Sequence, residues 1–146
     1  KTVGGGVGMA SVTDYCFATK YASIKLSELA IGIGPFVVGP PIERKIGLAA
    51  FIQLSINATE WHSAKWAKEK GLFAEVYETI EEMDVAIQTL AEKLASSNPD
   101  SMRALKQVMW EGMDHWDNLL LERAGMSGRW VLSDFTQKTL AQLKQR

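Results

Sequence analysis

Glu28 and the glycine triplet Gly4-Gly5-Gly6 are residues whose types and surroundings could support chemistry. Glu28 follows a short apolar segment and precedes a glycine-containing loop, and apolar surroundings favour the acid form of a carboxyl group. Such a group is suited to general acid/base catalysis. The alternative is a surface glutamate paired with Lys25, and spacing alone does not decide between them. The triplet could equally be a tight turn packed against a neighbouring strand.

The elements that would position these residues are short. Residues 1–58 are rich in glycine and β-branched residues, which indicates turns, short strands and buried helices. The predicted elements are a helix over 7–14, strands over 15–18 and 24–26, and helices over 41–46 and 48–56. Glycines and prolines between the second strand and Pro41 indicate a loop, and Pro41 is suited to the first turn of a helix.

The rest of the chain has helical periodicity and few glycines. The predicted elements are a helix capped by Ser63 and stopped by Gly71, an edge strand over 72–77, and helices over 81–95, from 99 onward, 119–126 and 133–143. In the helix that begins at Pro99, we expect the apolar residues to face inward, namely Met102, Leu105, Val108, Met109 and Trp116. The run Leu119-Leu120-Leu121 is too apolar to be wholly solvated. Part of this zone is therefore expected to pack on another subunit or domain.

Composition excludes several classes of partner. The chain has 146 residues and a formal net charge of -1, so it has no basic field for nucleic acid. No apolar run reaches the roughly 20 residues that span a bilayer, and there is no signal-peptide pattern.

The single cysteine, Cys16, lies in an apolar run and indicates a reduced core residue, so we expect a cytoplasmic protein. His62 and His115 lack metal-ligand spacing, so no metal site is predicted.

Five segments, in order along nearly the whole chain, resemble one protein family. They lie at 3–10, 26–35, 63–73, 91–106, and 122–123 together with 133–135. The first two resemble its GGG-x-x-(L/M)-A and P-E-x-x-x-G-x-x-P segments, and the third resembles S-A-x-x-A-x-x-x-G-L-V. The family is the crotonase superfamily of enoyl-CoA hydratases and isomerases. One such motif has low specificity, whereas five in order are typical of the C-terminal portion of this family.

The resemblance implies an α/β fold in two parts. Residues 1–58 would form the C-terminal part of a spiral of ββα repeats, including the glycine turn of the oxyanion site. Residues 59–146 would form a helical region used in trimer assembly. The implied substrate is an acyl-CoA thioester, with coenzyme A present as part of the substrate and no other cofactor.

The resemblance also implies roles for individual residues. Gly5 would provide one backbone N–H to the thioester oxygen, and Glu28 would transfer the proton. The residues implied to bind substrate are Gly4, Gly6, Gly8, Pro35 and Phe36. Gly5 suits its role because a side chain would block the thioester, and the following helix would direct its positive end at the same oxygen. Losing one donor of this kind costs about 2.7–4 kcal/mol of transition-state stabilisation.

The chain departs from the hydratase pattern at Gly8. Hydratases of the family have a second glutamate at this position, two residues after the triplet. Water addition needs one group to activate water and another to deliver a proton, whereas a double-bond shift needs one group. A single Glu28 therefore predicts an isomerase-like proton shuttle. Phe36 replaces a small loop residue and adds bulk near the acyl pocket, which disfavours long-chain substrates.

A second hypothesis is a non-catalytic acyl-CoA-binding or assembly module. In the family the other N–H donor comes from an A-F-(S/C)-A-G-x-D segment, which does not occur in this chain. On this hypothesis the chain alone is inactive. We expect a homo-trimer or hexamer, or pairing with a separate N-terminal piece that carries this segment.

Overall fold

The structure is a computed structural model that describes residues 1–144. Its elements, in chain order, are β1 (Thr2–Val3), α1 (Gly5–Val12), β2 (Phe17–Thr19), β3 (Ser23–Lys25), α2 (Gly39–Ile56), β4 (His62–Ser63), α3 (Ala64–Glu69), β5 (Glu75–Tyr77), α4 (Ile80–Ala95), α5 (Pro99–Met109), α6 (Trp116–Val131) and α7 (Asp134–Leu143). A short 3-10 helix, Leu29–Ile31, follows Glu28. The predicted α/β fold class is confirmed.

The strands form two small sheets. In the first, β1 pairs with β3 in parallel, with Thr2 opposite Ile24 and Val3 opposite Lys25, and β3 pairs with β4 in antiparallel fashion. In the second, β2 pairs with β5 in parallel. The parallel pairing of β1 with β3 matters most for the site, because both strands end at the same edge of the sheet.

One hydrophobic core lies between the sheets and helices α1, α2 and α3. Its buried residues are Val7, Ala18, Ile24, Leu26, Ile42, Ile46, Ala50, Leu54, Ala64, Ala67, Leu72 and Phe73. The core therefore includes residues on both sides of position 58. By contrast, α4, α5 and α6 bury no residue fully within the described part of the chain.

Most predicted helices are confirmed, but one predicted orientation is wrong. Helix α5 begins at Pro99 and ends at Met109, so Trp116 lies in α6 instead. Within α5, Leu105 is 56% exposed and Val108 is 67% exposed. Periodicity identifies an apolar face of a helix and does not identify what covers it. The two-residue strands β1 and β4 were not predicted, because they are too short to show an alternating pattern.

Helix α2 confirms the prediction of two successive helices. It is broken at Gly47, whose φ of 78° and ψ of 158° are not helical. The break redirects the second half of the helix, so that Ala50 and Leu54 reach the core with Ile42 and Ile46.

Within residues 1–144, every helix is too short or too polar to cross a membrane.

Candidate active site

The parallel pair β1–β3 brings the glycine triplet next to the segment that carries Glu28. Gly4 directly follows β1, and its N–H donates a 3.0 Å hydrogen bond to the carbonyl of Lys25 at the end of β3. Leu26, the next residue, is 1% exposed and anchors the chain in the core. Because both strands run in the same direction, the chain leaves them at one edge, and Glu28 lies two residues beyond Leu26.

The carboxyl group of Glu28 lies directly against Gly4. A Cβ added to Gly4 would be 2.7 Å from Glu28 Oε1 and 3.3 Å from Glu28 Cδ, closer than side chains normally approach. Gly4 also has φ 53°, a backbone conformation that other residues rarely adopt. Both facts favour glycine at position 4, because another residue would strain the backbone and displace the Glu28 carboxyl. The two groups singled out in the sequence therefore meet at one place.

Glu28 is a partly buried acid with an unpartnered oxygen. Its Oε2 is buried and has no hydrogen-bond partner within residues 1–144. Desolvation by burial raises the pKa of the Glu28 carboxyl, and a hydrogen bond with its own backbone opposes the rise in part. The Glu28 carbonyl accepts hydrogen bonds from the N–H groups of Ile31 and Ile33, at 3.2 and 3.0 Å. These bonds fix the backbone from which the side chain projects.

Gly5 faces open space at the start of α1. A Cβ at this position would meet no atom within 4 Å, so the fold itself does not require glycine here. The N–H groups of Val7 and Gly8 donate to the carbonyl of Gly4, whereas the Gly5 N–H has no partner in the described chain. Early N–H groups of a helix are free to bind an anion. Gly5 therefore presents an available donor next to the Gly4–Glu28 contact.

Gly6 and Gly8 are closely packed. A Cβ at Gly6 would lie 2.8 Å from the Thr2 side chain. Gly8 is buried, and a Cβ there would lie 2.8 Å from Cγ1 of Val38. Gly8 is the position at which hydratases of the family have a second glutamate. The space that a side chain would need there is occupied by Val38, in the loop before α2. A carboxylate at position 8 would require Val38 to move.

Pro35 and Phe36 line a different space. They form part of the wall of a cavity of about 260 Å³ between α2 and α6, which Glu28 and the triplet do not line. The Phe36 ring lies over Gly34, where an added Cβ would be 2.9 Å from the ring. The structure therefore brings Gly4, Gly5 and Glu28 together beyond the ends of β1 and β3, whereas Pro35 and Phe36 line a cavity that none of these three residues lines.

Two further polar groups were not predicted as site residues. Arg123 lines the same cavity as Phe36, and its buried Nε has no partner within residues 1–144. His62 Nε2 is likewise buried without a partner, and its ring lies 4.3 Å from that of Trp66, centroid to centroid. In the sequence, Arg123 lies in a helix that resembles the family, and His62 lies next to a tryptophan. Neither observation shows that the side chain has a buried atom without a hydrogen-bond partner.

Comparison with known proteins identifies the family. The family model "Enoyl-CoA hydratase/isomerase" matches residues 1–137. The peroxisomal Delta(3,5)-Delta(2,4)-dienoyl-CoA isomerase of Arabidopsis thaliana is 26% identical over 159 aligned residues, covering 99% of this chain and 52% of the relative. The Bacillaene synthase dehydratase PksH of Bacillus subtilis is 32% identical over 115 residues, covering 79% and 42%.

The fold comparison agrees. The crystal structure of an enoyl-CoA hydratase/isomerase from Pseudoalteromonas atlantica superimposes with a TM-score of 0.89 at 18% sequence identity. The match covers 99% of this chain and 58% of that one. The chain thus spans about half the length of the relatives it matches. The resemblance found in the sequence is confirmed, and the chain belongs to the enoyl-CoA hydratase/isomerase family.

Proposed function

We propose that this chain contributes a proton-transfer site for acyl-CoA thioesters, with Glu28 as the acid/base group and the Gly5 N–H as a donor to the thioester oxygen. The observation that carries the proposal is the contact between the Glu28 carboxyl and Gly4 beside the free N–H of Gly5. A proton acceptor and an oxyanion donor are the two groups that enolate formation needs. The parallel pair of β1 and β3, which brings Glu28 next to the glycine turn, supports giving these two roles to Glu28 and Gly5.

The reaction proceeds in two proton transfers. The Glu28 carboxylate takes a proton from the carbon beside the thioester carbonyl, and the electron pair moves onto the carbonyl oxygen as an enolate. The Gly5 N–H and the start of α1 stabilise this negative charge. The protonated Glu28 then returns the proton to a different carbon, which shifts the double bond. The raised pKa of Glu28 makes its carboxylate a better acceptor for the first step.

An isomerase-like reaction fits this site better than hydration. Hydration needs a second group for water, and the corresponding position is Gly8, packed on Val38. The matched Arabidopsis thaliana relative is named as an isomerase, whereas the Bacillus subtilis relative is named as a dehydratase. The Gly8 packing supports the first type of reaction for this chain.

Partners and cofactors complete the proposal. Coenzyme A enters as part of the substrate, and no additional cofactor takes part in the two proton transfers. We also propose assembly as a homo-trimer or hexamer. Its support is the exposure of large apolar side chains on α4 and α5, such as Val85 at 68% and Val108 at 67%. A cytoplasmic location is part of the same proposal.

The test is a pair of assays on the full chain, with 3-enoyl-CoA isomerisation and crotonyl-CoA hydration measured side by side. We expect isomerisation to exceed hydration, and Glu28→Gln to reduce isomerisation by roughly 10²–10⁴-fold. Glu111→Gln is the matched control, because Glu111 is an exposed glutamate between α5 and α6, on neither of the strands that position Glu28 and the triplet. Unchanged turnover in Glu28→Gln removes Glu28 from the mechanism. Tight acyl-CoA binding without turnover in the wild type supports the non-catalytic binding module instead.

A further inference from the structure

A cavity between α2 and α6 has apolar walls and one cationic group. Its volume is about 260 Å³, near the lower end of the roughly 300–1,000 Å³ typical of small-molecule sites. The apolar walls are Pro35, Phe36, Pro40, Phe51, Ile52 and Ile56. Such a lining suits a short hydrocarbon body. The polar groups that reach it are Glu43, Ser55 and Arg123.

Arg123 is the residue of this cavity that has a buried polar atom without a hydrogen-bond partner. Its Nε is buried and makes no hydrogen bond within residues 1–144, and Nη1 lies 3.9 Å from the Met126 sulfur. No ion pair involving Arg123 occurs in the described chain. Ser55, in contrast, is satisfied, because its hydroxyl donates a 2.7 Å hydrogen bond to the Phe51 carbonyl. Arg123 as a whole is partly exposed, but a buried N–H without an acceptor is costly, so an incoming anion that accepts from Nε would be stabilised.

We propose that this cavity binds a carboxylate carried on a short apolar body, with the carboxylate on Arg123 and the body between Phe36, Phe51 and Ile52. A guanidinium group matches a carboxylate in shape and can form two parallel hydrogen bonds with it. Glu43 lines the same cavity and the adjoining one with Arg123, so its negative charge opposes the ligand. The site therefore favours a monoanion of small size.

The ligand could come from two sources with the same chemistry. One is a free short-chain acid. The other is the far end of an acyl group whose thioester lies at Glu28 and Gly5, and this source depends on the proposed function. Phe36 lies eight residues after Glu28 in the chain and forms part of the cavity wall, so the cavity and Glu28 share one segment.

The test is direct binding of hexanoate to the full chain by titration calorimetry, with hexanamide as the neutral probe of equal length. We expect saturable binding of hexanoate and weaker binding of hexanamide. Arg123→Gln should weaken hexanoate binding by roughly tenfold or more and leave hexanamide binding unchanged. Arg129→Gln removes the same charge from an exposed position of α6 and should leave both unchanged.

Glu43→Gln keeps the test informative if Arg123→Gln impairs folding. Removing the opposing charge should strengthen hexanoate binding, which loss of structure cannot do. Equal binding of hexanoate and hexanamide by the wild type, or no saturable binding of either, overturns the proposal. Equal affinity of wild type and a folded Arg123→Gln variant for hexanoate overturns it as well.

The two sources are separated by comparing adipoyl-CoA with hexanoyl-CoA. A preference of roughly tenfold for adipoyl-CoA that Arg123→Gln removes assigns the site to the acyl end. Hexanoate binding with no such preference assigns it to a free acid. Binding is measured here without turnover, so loss of activity in Glu28→Gln does not affect either result. Failure of this proposal and failure of the proposed reaction are thereby distinguished.

Discussion

Replacing Glu28 with glutamine should make the protein more stable at neutral pH while impairing its proposed activity. The ionised carboxylate of Glu28 is partly buried and its Oε2 has no partner in the described chain. A buried polar group without a partner costs about 1–3 kcal/mol, and more when charged. The glutamine amide retains the neutral part of that cost. We therefore expect a gain of about 1 kcal/mol, the part due to the charge.

The pH dependence follows from the direction of the Glu28 pKa shift. Burial raises the pKa in the folded state, so below the unfolded pKa of about 4.3 both states are protonated and the penalty is absent. As pH rises through the interval between the unfolded and folded pKa values, the unfolded state loses its proton first. The folded state is then destabilised, and the full penalty is present above the folded pKa. Glu28→Gln has no such dependence at this site.

The measurement is urea unfolding of wild type and Glu28→Gln at several values between about pH 4 and pH 8. The difference in the free energy of unfolding should be smallest at the acid end and reach about 1 kcal/mol at neutral pH, equivalent to roughly 2–4 °C in Tm. Glu111→Gln should run parallel to the wild type, because Glu111 is exposed. If the Glu28→Gln curve also runs parallel to the wild type, the carboxylate is not desolvated and the reasoning is wrong.

Three further substitutions test the contacts around the site and core. Gly4→Ala should lower the free energy of unfolding by about 1–3 kcal/mol through its positive φ, and it should slow the proposed isomerisation by displacing Glu28. An unchanged isomerisation rate would contradict the role given to the Gly4–Glu28 contact. Asp14→Asn should cost about 0.2–1 kcal/mol in urea unfolding by removing the ion pair of Asp14 with Lys106, which is exposed and screened by solvent. This ion pair lowers the Asp14 pKa, so the loss is present above about pH 4 and fades as pH falls; a difference that persists in acid would contradict it. Ser63→Ala should cost about 1 kcal/mol by removing the α3 cap, and an unchanged unfolding midpoint would show that the cap is not stabilising.

The sequence predicts the helices well where local signals are strong. Ser63 caps α3 and Gly71 ends the turn that follows it, as predicted, because capping depends on neighbouring residues in the chain. Gly47 divides α2 for a similar local reason. The orientation of α5 was not predictable, since its apolar face depends on whatever surface covers it. Helix caps and helix breaks depend on a few neighbouring residues, so they can be predicted from the sequence. The surface that covers a helix depends on residues that are distant in the chain or in another chain.

The candidate site shows the same division. Glu28 and the triplet are identifiable by type and by family resemblance, yet their contact depends on β1 and β3, which are two and three residues long. The packing of Gly8 on Val38 depends on a loop thirty residues away. The unpartnered atoms of Arg123 and His62 are properties of the folded environment alone. A motif therefore gives the types of residues, and tertiary structure gives their distances and pKa values.

The packing of Gly8 also bears on how the chemistry of this family can change. A second carboxylate at position 8 would need room now occupied by Val38, so Gly8→Glu alone would overpack a buried position. Gly8→Glu combined with Val38→Ala would provide that room. If the absence of this glutamate is what limits hydration, the double variant should gain hydratase activity and the single variant should mainly lose stability. Equal hydration rates in wild type and a folded double variant would show that the reaction type is set elsewhere in the site.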